Sequence, residues 1–424
     1  MTAKMLKPAD TGWFVKDRFG MFIHWGLYAM GARHEWLKNK ERMTDERYAR
    51  YFDHFDPDLY DPKKWARAAA DAGMKYFVVT SKHHEGFCLW DSEHTDYKAT
   101  KTPCGRDLLA PMVEAFRAEG LKVGFYYSLI DWHHPEYPVD SRHPQRDDAG
   151  FREKTKDRDV RKYAEYMRKQ VTELLTRFGK IDLLWFDFSF PGEDGKGRDD
   201  WESEKLFNLV RELAPEILID NRLDLPGSGD FVTPEQYVPE QGLTDEDGNP
   251  VVWEGCQTFS GSWGYHRDES SWKSVDMLIQ MLIDHVSKDG NMLLNVGPTA
   301  RGEFDSRALS RLEGMGAWMK RHSRAIYGCG ASEFQAPRDC RYTQNGNRLY
   351  LHLLAWPFRA IHLPGLAGRV EYAQLLNDGS EIFFGDSSEK NLHHNNVTPQ
   401  DAVTLDLPVR RPDVAVPVIE LFLK

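Results

Sequence analysis

The chain has 424 residues, of which 41% are hydrophobic and 29% are charged. This length suits a barrel of roughly 250 residues or more together with a smaller companion domain. Because 66 acidic residues outnumber 55 basic ones, the net charge is −11, which disfavours a nucleic acid or an anionic membrane as partner and favours a neutral substrate.

The chain begins with MTAKMLKPAD, which lacks the apolar core of a signal peptide, and no apolar run approaches about 18 residues. We therefore expect no membrane association. The five cysteines are odd in number and form no Cys-x-x-Cys pair, which argues against a disulfide framework or a zinc ribbon. These features together predict a cytoplasmic protein.

Up to about residue 330, short apolar runs alternate with amphipathic stretches, a pattern typical of a parallel sheet with crossover helices. The near-continuous hydrophobicity of the runs indicates strands buried on both faces. Six strands are predicted, at Met21–Trp25, Tyr76–Ser81, Lys122–Ser128, Ile181–Phe188, Ile217–Arg222 and Met292–Val296. Three helices are predicted, from Asp107 to Gly120, from Asp159 to Gly179 and from about Ser274 to Gly290.

Two polar stretches interrupt this alternation, from Asp131 to Arg158 and from Leu223 to Pro250. Each follows a predicted strand and is too long for an ordinary connection between a strand and a helix. In a barrel such loops lie on the C-terminal face, where active sites are built. The alternative interpretation is a disordered insertion, which the charge run makes more plausible for the first stretch.

After Gly330 the alternation of apolar runs with helical stretches ends. Short strands are predicted at Arg348–Ala355, Ala360–Leu363, Arg369–Leu376, Val403–Leu407 and Val418–Leu423. Turn residues separate them and no helical pattern appears, as in a small antiparallel β-sandwich. The predicted fold is α/β, a (β/α)8-like TIM barrel over residues 1–332 followed by a small C-terminal antiparallel β-sandwich domain over residues 333–424.

Polar side chains end five successive predicted strands, at the rim where barrel enzymes build their sites. The ends are His24-Trp25, Ser81-Lys82-His83-His84-Glu85, Tyr126-Tyr127-Ser128, Trp185-Phe186-Asp187 and Asp220-Asn221-Arg222. A single histidine at a strand end is more often a hydrogen-bonded structural group than a catalytic one. Five such ends in succession are hard to explain by core packing, so they predict a shared pocket.

Asp187 is the most informative of these residues, because a carboxylate after a buried strand costs free energy unless it is paired or hydrogen-bonded. Glycoside hydrolysis needs two carboxyl groups, which retaining enzymes hold about 5–5.5 Å apart. Candidate partners are Glu35, Glu85, Glu235 and Glu254. A mobile loop carboxyl suits an acid/base, which favours Glu235 modestly over Glu254, although the default for either is a solvated loop acid.

The histidines also raise a metal hypothesis. His24, His83, His84, His133 and His134 are all potential zinc ligands. However, the first strand has no His-x-His pair, and neighbouring residues on a strand point to opposite faces. His83 and His84 would therefore need a bend to bind one ion. We expect no metal and no organic cofactor.

Several segments carry a family resemblance in combination. They are Arg18 to Gly26 (RFGMFIHWG), Glu35-Trp36, Ser81 to Phe87 (SKHHEGF), Leu184 to Asp187 (LWFD), Ser262 to Tyr265 (SWGY) and Ser287 to Pro298 (SKDGNMLLNVGP). Together they resemble the α-L-fucosidases of glycoside hydrolase family 29, over about residues 13 to 328. The β-rich C-terminal part is similar to that family's C-terminal domain.

The resemblance implies a retaining exo-acting α-L-fucosidase that acts on fucosylated oligosaccharides or glycoconjugates, with Asp187 as the nucleophile. It implies that further residues hold the sugar or border the nucleophile. These are His24, Glu35, Trp36, His83, His84, Tyr127, Trp185, Arg222 and Trp263. Trp263 matches an aromatic residue that packs near the C6 methyl group of fucose.

The acid/base transfers less directly, since its position varies in the family. Glu235 in the Thr-Pro-Glu-Gln segment is the better match, and Glu254 is the second, expected to bind the substrate if it is not the acid/base. Phe188 departs from the family, because a glycine is frequent after the nucleophile, and we expect it to narrow the pocket. The alternatives are a catalytically silent fucose-binding protein on this scaffold and a metal-dependent barrel hydrolase. The sequence leaves the linkage preference open and is compatible with an oligomer.

Overall fold

Seven parallel strands form one curled sheet in the computed structural model, which describes residues 9–386 and 401–424. The strands are β1 (Phe19–Ile23), β2 (Tyr76–Lys82), β3 (Lys122–Ser128), β4 (Leu183–Asp187), β5 (Leu218–Ile219), β6 (Trp253–Thr258) and β7 (Gly290–Val296). Their spatial order is β5-β4-β3-β2-β1-β7-β6. The predicted TIM-like barrel is confirmed, with seven regular strands in this part of the chain.

Helices connect the strands and cover the outside of the sheet. They are α1 (Gly12–Asp17), α2 (Tyr28–Gly31), α3 (Leu37–Lys40), α4 (Asp45–His54), α5 (Pro62–Asp71), α6 (Leu109–Ala118), α7 (Ala149–Lys154), α8 (Val160–Arg177), α9 (Arg198–Trp201), α10 (Ser203–Leu213), α11 (Val275–Val286) and α12 (Ser306–His322). Among the residues that the structure describes, no helix is both long and apolar enough to cross a bilayer.

Helix α8 shows why these segments form helices where the sequence predicts them. The Asp159 side chain accepts a hydrogen bond from the backbone N–H of Arg161, so it satisfies a donor that the first turn leaves free. Tyr163, Met167 and Leu174 recur at helical spacing and are fully buried. The three predicted helices are confirmed as α6, α8 and α11.

An irregular segment, residues 231–236, closes the gap between β5 and β6. Phe231 forms a parallel bridge with Asp220, Val232 bridges Trp253, and Glu235 bridges Cys256. We call residues 231–236 the closing segment. The sequence prediction was wrong here in one respect, because strand β6 was missed. Its residue Glu254 lies within a buried strand and is not a loop acid.

Alternate side chains on each strand enter two different apolar layers. On β2, Tyr76 and Val78 face the barrel interior, where they pack in one cluster with Tyr126 and Trp185. Phe77 and its alternate neighbours face the helices instead. Since the side-chain period of a strand is two, this alternation decides which residues can reach a pocket inside the barrel.

The polar stretch from Asp131 to Arg158 is folded, so the alternative of a disordered insertion is wrong. It contains α7, and its residue Asp140 forms a buried salt bridge with Lys196. The Asp140 carboxylate also accepts a hydrogen bond from the backbone N–H of Arg142 at 2.8 Å. These contacts hold the stretch against the loop that follows β4.

The C-terminal part consists of two antiparallel sheets whose apolar faces pack together. The strands are β8 (Cys340–Asn345), β9 (Arg348–Leu353), β10 (Ala360–Leu363), β11 (Val370–Leu375), β12 (Phe384–Asp386), β13 (Val403–Asp406) and β14 (Val418–Leu423). One sheet has the order β10-β13-β12 and the other β11-β14-β9-β8. Leu363 and Leu405 of the first share a buried cluster with Leu351 and Leu421 of the second. The predicted sandwich is therefore confirmed, although β8 and β12 were not predicted.

Candidate active site

A pocket opens at the carboxyl ends of the barrel strands, where the sequence predicts it. Its lining residues are Phe22, His24, Trp36, His83, His84, Tyr126, Trp185, Asp187, Phe188, Arg222, Glu235, Cys256 and Trp263. All but three of the predicted site residues are in this set. The exceptions are Glu35, Tyr127 and Glu254.

Arg222 joins the two predicted catalytic carboxylates. Its Nη1 donates to Asp187 Oδ1 at 2.7 Å and to Glu235 Oε2 at 3.0 Å. Its Nε donates to Thr233 Oγ1 at 2.8 Å, and its guanidinium carbon lies 4.4 Å from the centre of the Trp185 ring. The guanidinium is therefore fixed on several sides, and it holds the two carboxylates close together.

Asp187 is the last residue of β4. Because side chains alternate in direction along a strand, Asp187 points to the same side as Trp185, and both line the pocket. The hydroxyl of Tyr126 donates to Asp187 Oδ2 at 2.8 Å, so each carboxylate oxygen has one fixed donor. The Asp187 side chain is 14% exposed, whereas that of Glu235 is 43% exposed. The first is thus held rigidly at the pocket floor, while the second lies at a solvent-accessible rim.

The prediction of Tyr127 as a sugar-contacting residue is wrong. Tyr127 pairs in register with Phe186, and both face the helices. Its hydroxyl donates to Gln170 Oε1 on α8 at 2.8 Å. Tyr126, which pairs with Trp185, faces the pocket instead, and the sequence analysis missed it. Strand alternation is the signal that distinguishes the two tyrosines.

His24 is held as a neutral imidazole with a defined tautomer. Burial, reinforced by His83, lowers the pKa of His24 to about 3. Asn295 donates from Nδ2 to the Trp263 carbonyl, so its Oδ1 accepts a hydrogen bond from His24 Nδ1 at 2.6 Å. The Nε2 atom of His24 is then left as a hydrogen-bond acceptor, which suits the hydroxyl of a ligand.

His84 is also held as a neutral imidazole with a defined tautomer. Ser128 donates its hydroxyl to the Ile130 carbonyl, and its Oγ therefore accepts from His84 Nδ1 at 2.7 Å. Burial, together with the nearby His83, keeps the pKa of His84 well below its ordinary value. His83 lies between the other two histidines, and its Nδ1 is 3.5 Å from the buried Glu85 carboxylate. Two of the three imidazoles thus present acceptors to the pocket.

Aromatic rings form the apolar part of the wall. Trp263 lies 5.2 Å from His24 between ring centres. On the other side, Trp36 packs against His84 at 4.9 Å and against Phe188 at 5.1 Å. Phe188 has a φ of 78°, a backbone conformation that glycine adopts without strain and a bulky residue rarely does. This explains physically why a glycine suits the position after Asp187.

Glu35 lies behind the pocket wall and is not one of the lining residues. Its Oε2 accepts the backbone N–H of Gly264 at 2.7 Å, and its Oε1 is 3.6 Å from His34 Nδ1. Burial opposes its ionisation, yet these partners lower the pKa of Glu35 to about 2. The carboxylate therefore ties the loop that carries Trp263 to the loop that carries Trp36.

Glu254 does not reach the pocket, so its prediction as a substrate-binding residue or alternative acid/base is wrong. It lies two residues deeper along β6 than Cys256, and it is fully buried. The Trp185 Nε1–H donates to its Oε1 at 3.1 Å, and Tyr76 shares a hydrogen bond with its Oε2. Burial outweighs these bonds and raises the pKa of Glu254 to about 7.

The raised pKa of Glu254 makes protein stability depend on pH. Between its ordinary value of 4.5 and about 7, the folded protein keeps a proton that the unfolded chain releases, so stability falls as the pH rises. Glu254→Gln removes this titration at nearly constant volume. As the pH rises through this range, we expect the free energy of unfolding of the variant, relative to that of the wild type, to increase by roughly 3 kcal/mol. Urea titrations at a series of pH values measure it, and a constant difference would contradict the expectation.

The site therefore combines two carboxylates of unequal exposure, acceptors for hydroxyl groups and an apolar aromatic wall. This set suits a small ring that carries both hydroxyls and an apolar group. The two carboxylates provide what glycoside hydrolysis requires, a nucleophile and a proton donor.

Comparisons with known proteins agree with this chemistry. The alpha-L-fucosidase family model matches residues 2–324. Human tissue alpha-L-fucosidase is 28% identical over 374 residues, which are 81% of this chain and 76% of that protein. Alpha-L-fucosidase isoenzyme 1 from Paenibacillus thiaminolyticus is 49% identical, with a TM-score of 0.92 and 98% of both chains covered.

A more distant structure adds a chemical observation. An alpha-L-fucosidase of family GH29 from Bacteroides thetaiotaomicron is 28% identical, with a TM-score of 0.82 and coverage of 97% of this chain and 95% of that one. That protein was trapped as a covalent intermediate in complex with 2-fluoro-fucosyl fluoride.

Proposed function

This chain belongs to the alpha-L-fucosidase family of glycoside hydrolases, and we propose that it removes terminal α-L-fucose from fucosylated glycans with retention of anomeric configuration. Asp187 is the nucleophile and Glu235 the acid/base. The covalent intermediate trapped in the Bacteroides relative supports a double displacement for this chain as well.

The distance between the two carboxylates is the observation that carries the proposal. Asp187 Oδ1 and Glu235 Oε2 lie 2.7 Å and 3.0 Å from the same nitrogen of Arg222. These two oxygens are therefore at most about 5.7 Å apart, and this close approach supports the short separation of roughly 5–5.5 Å that retaining enzymes hold between their carboxyl groups.

In the first step, Asp187 attacks the anomeric carbon while Glu235 gives its proton to the glycosidic oxygen. The bond between that oxygen and the sugar breaks, and a fucosyl ester of Asp187 forms. In the second step, Glu235 removes a proton from water, the water attacks the anomeric carbon, and Asp187 leaves as a carboxylate. The solvent exposure of Glu235 suits this exchange of protons.

The remaining pocket residues bind the sugar. The Nε2 acceptors of His24 and His84 suit fucose hydroxyls, and the Trp263 ring suits its methyl group. Arg222 stabilises the negative charge that returns to Asp187 when the ester is cleaved. Since the buried side chains of Phe22 and Trp185 close the inner end of the pocket, it fits a terminal sugar, which supports exo-action.

The anomer released first tests retention. We expect NMR of early product to show α-L-fucose, which later equilibrates with the β-anomer. The 2-fluoro-fucosyl fluoride that trapped the Bacteroides relative should also label Asp187. Mass spectrometry of a peptide digest can detect this label. Product that appears first as the β-anomer would reject the double displacement.

A further inference from the structure

A buried ion pair lies behind the histidines of the pocket and has no part in the proposed mechanism. The Nζ atom of Lys82 is 3.2 Å from Asp131 Oδ2, and the two side chains are 0% and 2% exposed. Removing two charges from water costs free energy that their attraction largely offsets, so such a pair adds little to the stability of a fold. Stability alone therefore does not account for its presence beside the sugar-binding residues.

The register of β2 explains why a lysine is buried at this position. Thr80 pairs with Tyr126 in the ladder to β3. The next pair joins Lys82 to Tyr127, so one residue of β2 is left over. Tyr127 faces the helices, and the Nζ atom of Lys82 lies on the same side, 4.4 Å from the centre of its ring. Because an extra residue re-aims the side chains that follow it, Lys82 points away from the pocket and His83 lines it.

Asp131 ties the chain after β3 to the backbone of His84. Its Oδ1 accepts the backbone N–H groups of His133 and His134, at 3.0 Å and 2.9 Å. These two bonds fold the chain around Trp132, whose own N–H donates to the His84 carbonyl at 2.9 Å. The carboxylate thus shapes the segment that holds His84 from behind.

The turn after His84 packs directly on the ion pair. Gly86 has a φ of 85°, and its N–H donates to the His83 carbonyl at 3.0 Å. A Cβ atom at Gly86 would collide with Oδ1 of Asp131, so the close approach requires glycine. The ring of Trp132 also lies 5.5 Å from the His84 imidazole between centres. His84 is therefore connected to the ion pair through both its backbone and its ring.

A hydroxyl group and the ion pair's own charges fix its geometry. The Lys82 ammonium donates to the Tyr163 hydroxyl at 3.1 Å, and that hydroxyl donates to the Leu129 carbonyl at 2.9 Å. Burial opposes the ionisation of Asp131, yet Lys82 holds the pKa of this carboxyl below its ordinary value. The attraction between the two groups thus persists although both are buried.

We propose that Lys82 and Asp131 are positioning residues, which hold His84 where its imidazole contacts the fucose. The inference rests on the proposed function, because it takes His84 as a sugar-binding residue. Neither Lys82 nor Asp131 lines the pocket, so both act through His84 and not on the sugar itself. The pair thereby determines the affinity for fucose, whereas Asp187 and Glu235 are held by Arg222.

Two single variants and their combination separate this role from a purely structural one. Asp131→Asn and Lys82→Met each leave a buried charge unpaired, so both should lower the melting temperature. Both should also raise the inhibition constant of L-fucose about tenfold and change kcat for an aryl fucoside less than about threefold. The double variant removes both charges and should recover much of the melting temperature. Its inhibition constant should stay about tenfold above that of the wild type, since the tether is still missing.

A double-mutant cycle tests whether the effect passes through His84. In the His84→Ala background, Asp131→Asn should raise the inhibition constant less than about twofold, because the group that it positions is absent. An undiminished effect in this background would overturn the proposal. An unchanged constant in the single variants would do the same, as would a double variant that regains affinity together with stability.

Glu420→Gln is the matched control, because it neutralises another buried carboxylate, in the C-terminal part of the chain. Glu420 is 2% exposed and accepts hydrogen bonds from Gln374 at 2.7 Å and from Tyr350 at 3.1 Å. The variant should lower the melting temperature without changing the inhibition constant. An equal rise of the constant in this control would show that any loss of stability weakens fucose binding, which contradicts the proposal. A wild type that neither binds L-fucose nor hydrolyses an aryl fucoside would instead reject the proposed function.

Discussion

Asp187→Gly is expected to lower kcat for an aryl fucoside by about 10⁴-fold or more, because the variant lacks the carboxylate that we propose as the nucleophile. The fold should persist, since Asp187 lies at the end of β4 and Arg222 keeps its second carboxylate partner, Glu235. Steady-state kinetics and a thermal melt of the same preparation measure the two effects separately. Asp199→Gly is a suitable control, because the Asp199 side chain is 99% exposed.

Azide gives this prediction a stereochemical readout. In Asp187→Gly, azide can occupy the space that the carboxylate leaves and attack the anomeric carbon from the same face. The expected product is β-L-fucosyl azide, whose configuration is inverted relative to the substrate. Near-normal hydrolysis without azide would show that another residue is the nucleophile.

Glu235→Ala is expected to lower kcat about 10²–10⁴-fold, the usual contribution of a general acid/base. The loss should be largest for oligosaccharides, whose leaving oxygen needs a proton, and smaller for aryl fucosides with acidic leaving groups. Azide should restore turnover of an activated aryl fucoside, because it attacks the fucosyl ester without a general base. The expected product is α-L-fucosyl azide, with retained configuration.

Glu254 offers a matched comparison for this second prediction. It is the other carboxyl group that the sequence proposes, but it is buried against Tyr76 and Trp185. Azide should therefore not rescue Glu254→Gln. Any loss of activity in this variant, relative to the wild type, should be the same for good and poor leaving groups. Rescue in the Glu254 variant alone would reverse the assignment of the acid/base.

The barrel could be predicted from the sequence because most of its strands are continuous apolar runs, such as β2 and β7. Strand β6 escaped prediction because Glu254, Gly255 and Gln257 interrupt its hydrophobic pattern, although all three are buried. Its stability depends on partners from distant parts of the chain, including Tyr76. Local pattern does not contain that information.

In the candidate site, too, some residues could be predicted from local sequence and others depend on distant contacts. Asp187 and Arg222 could be predicted because a charged group directly after an apolar strand is conspicuous. The choice between Tyr126 and Tyr127 depends on which face of β3 meets the pocket, and both faces are equally apolar. The stretch from Asp131 to Arg158 could not be placed against the loop after β4, since the buried Lys196–Asp140 pair that joins them forms only in three dimensions.

The two carboxylates are carried by different kinds of backbone, Asp187 by a regular strand and Glu235 by the irregular closing segment. Asp187 belongs to a strand with a continuous ladder to β3, whereas Glu235 is carried by a few scattered bridges. The separation of the carboxylates, which determines the stereochemical outcome, is thus stiff on one side and compliant on the other. We therefore expect substitutions within the closing segment to displace Glu235 more readily than Asp187, and so to change the distance between the two carboxylates.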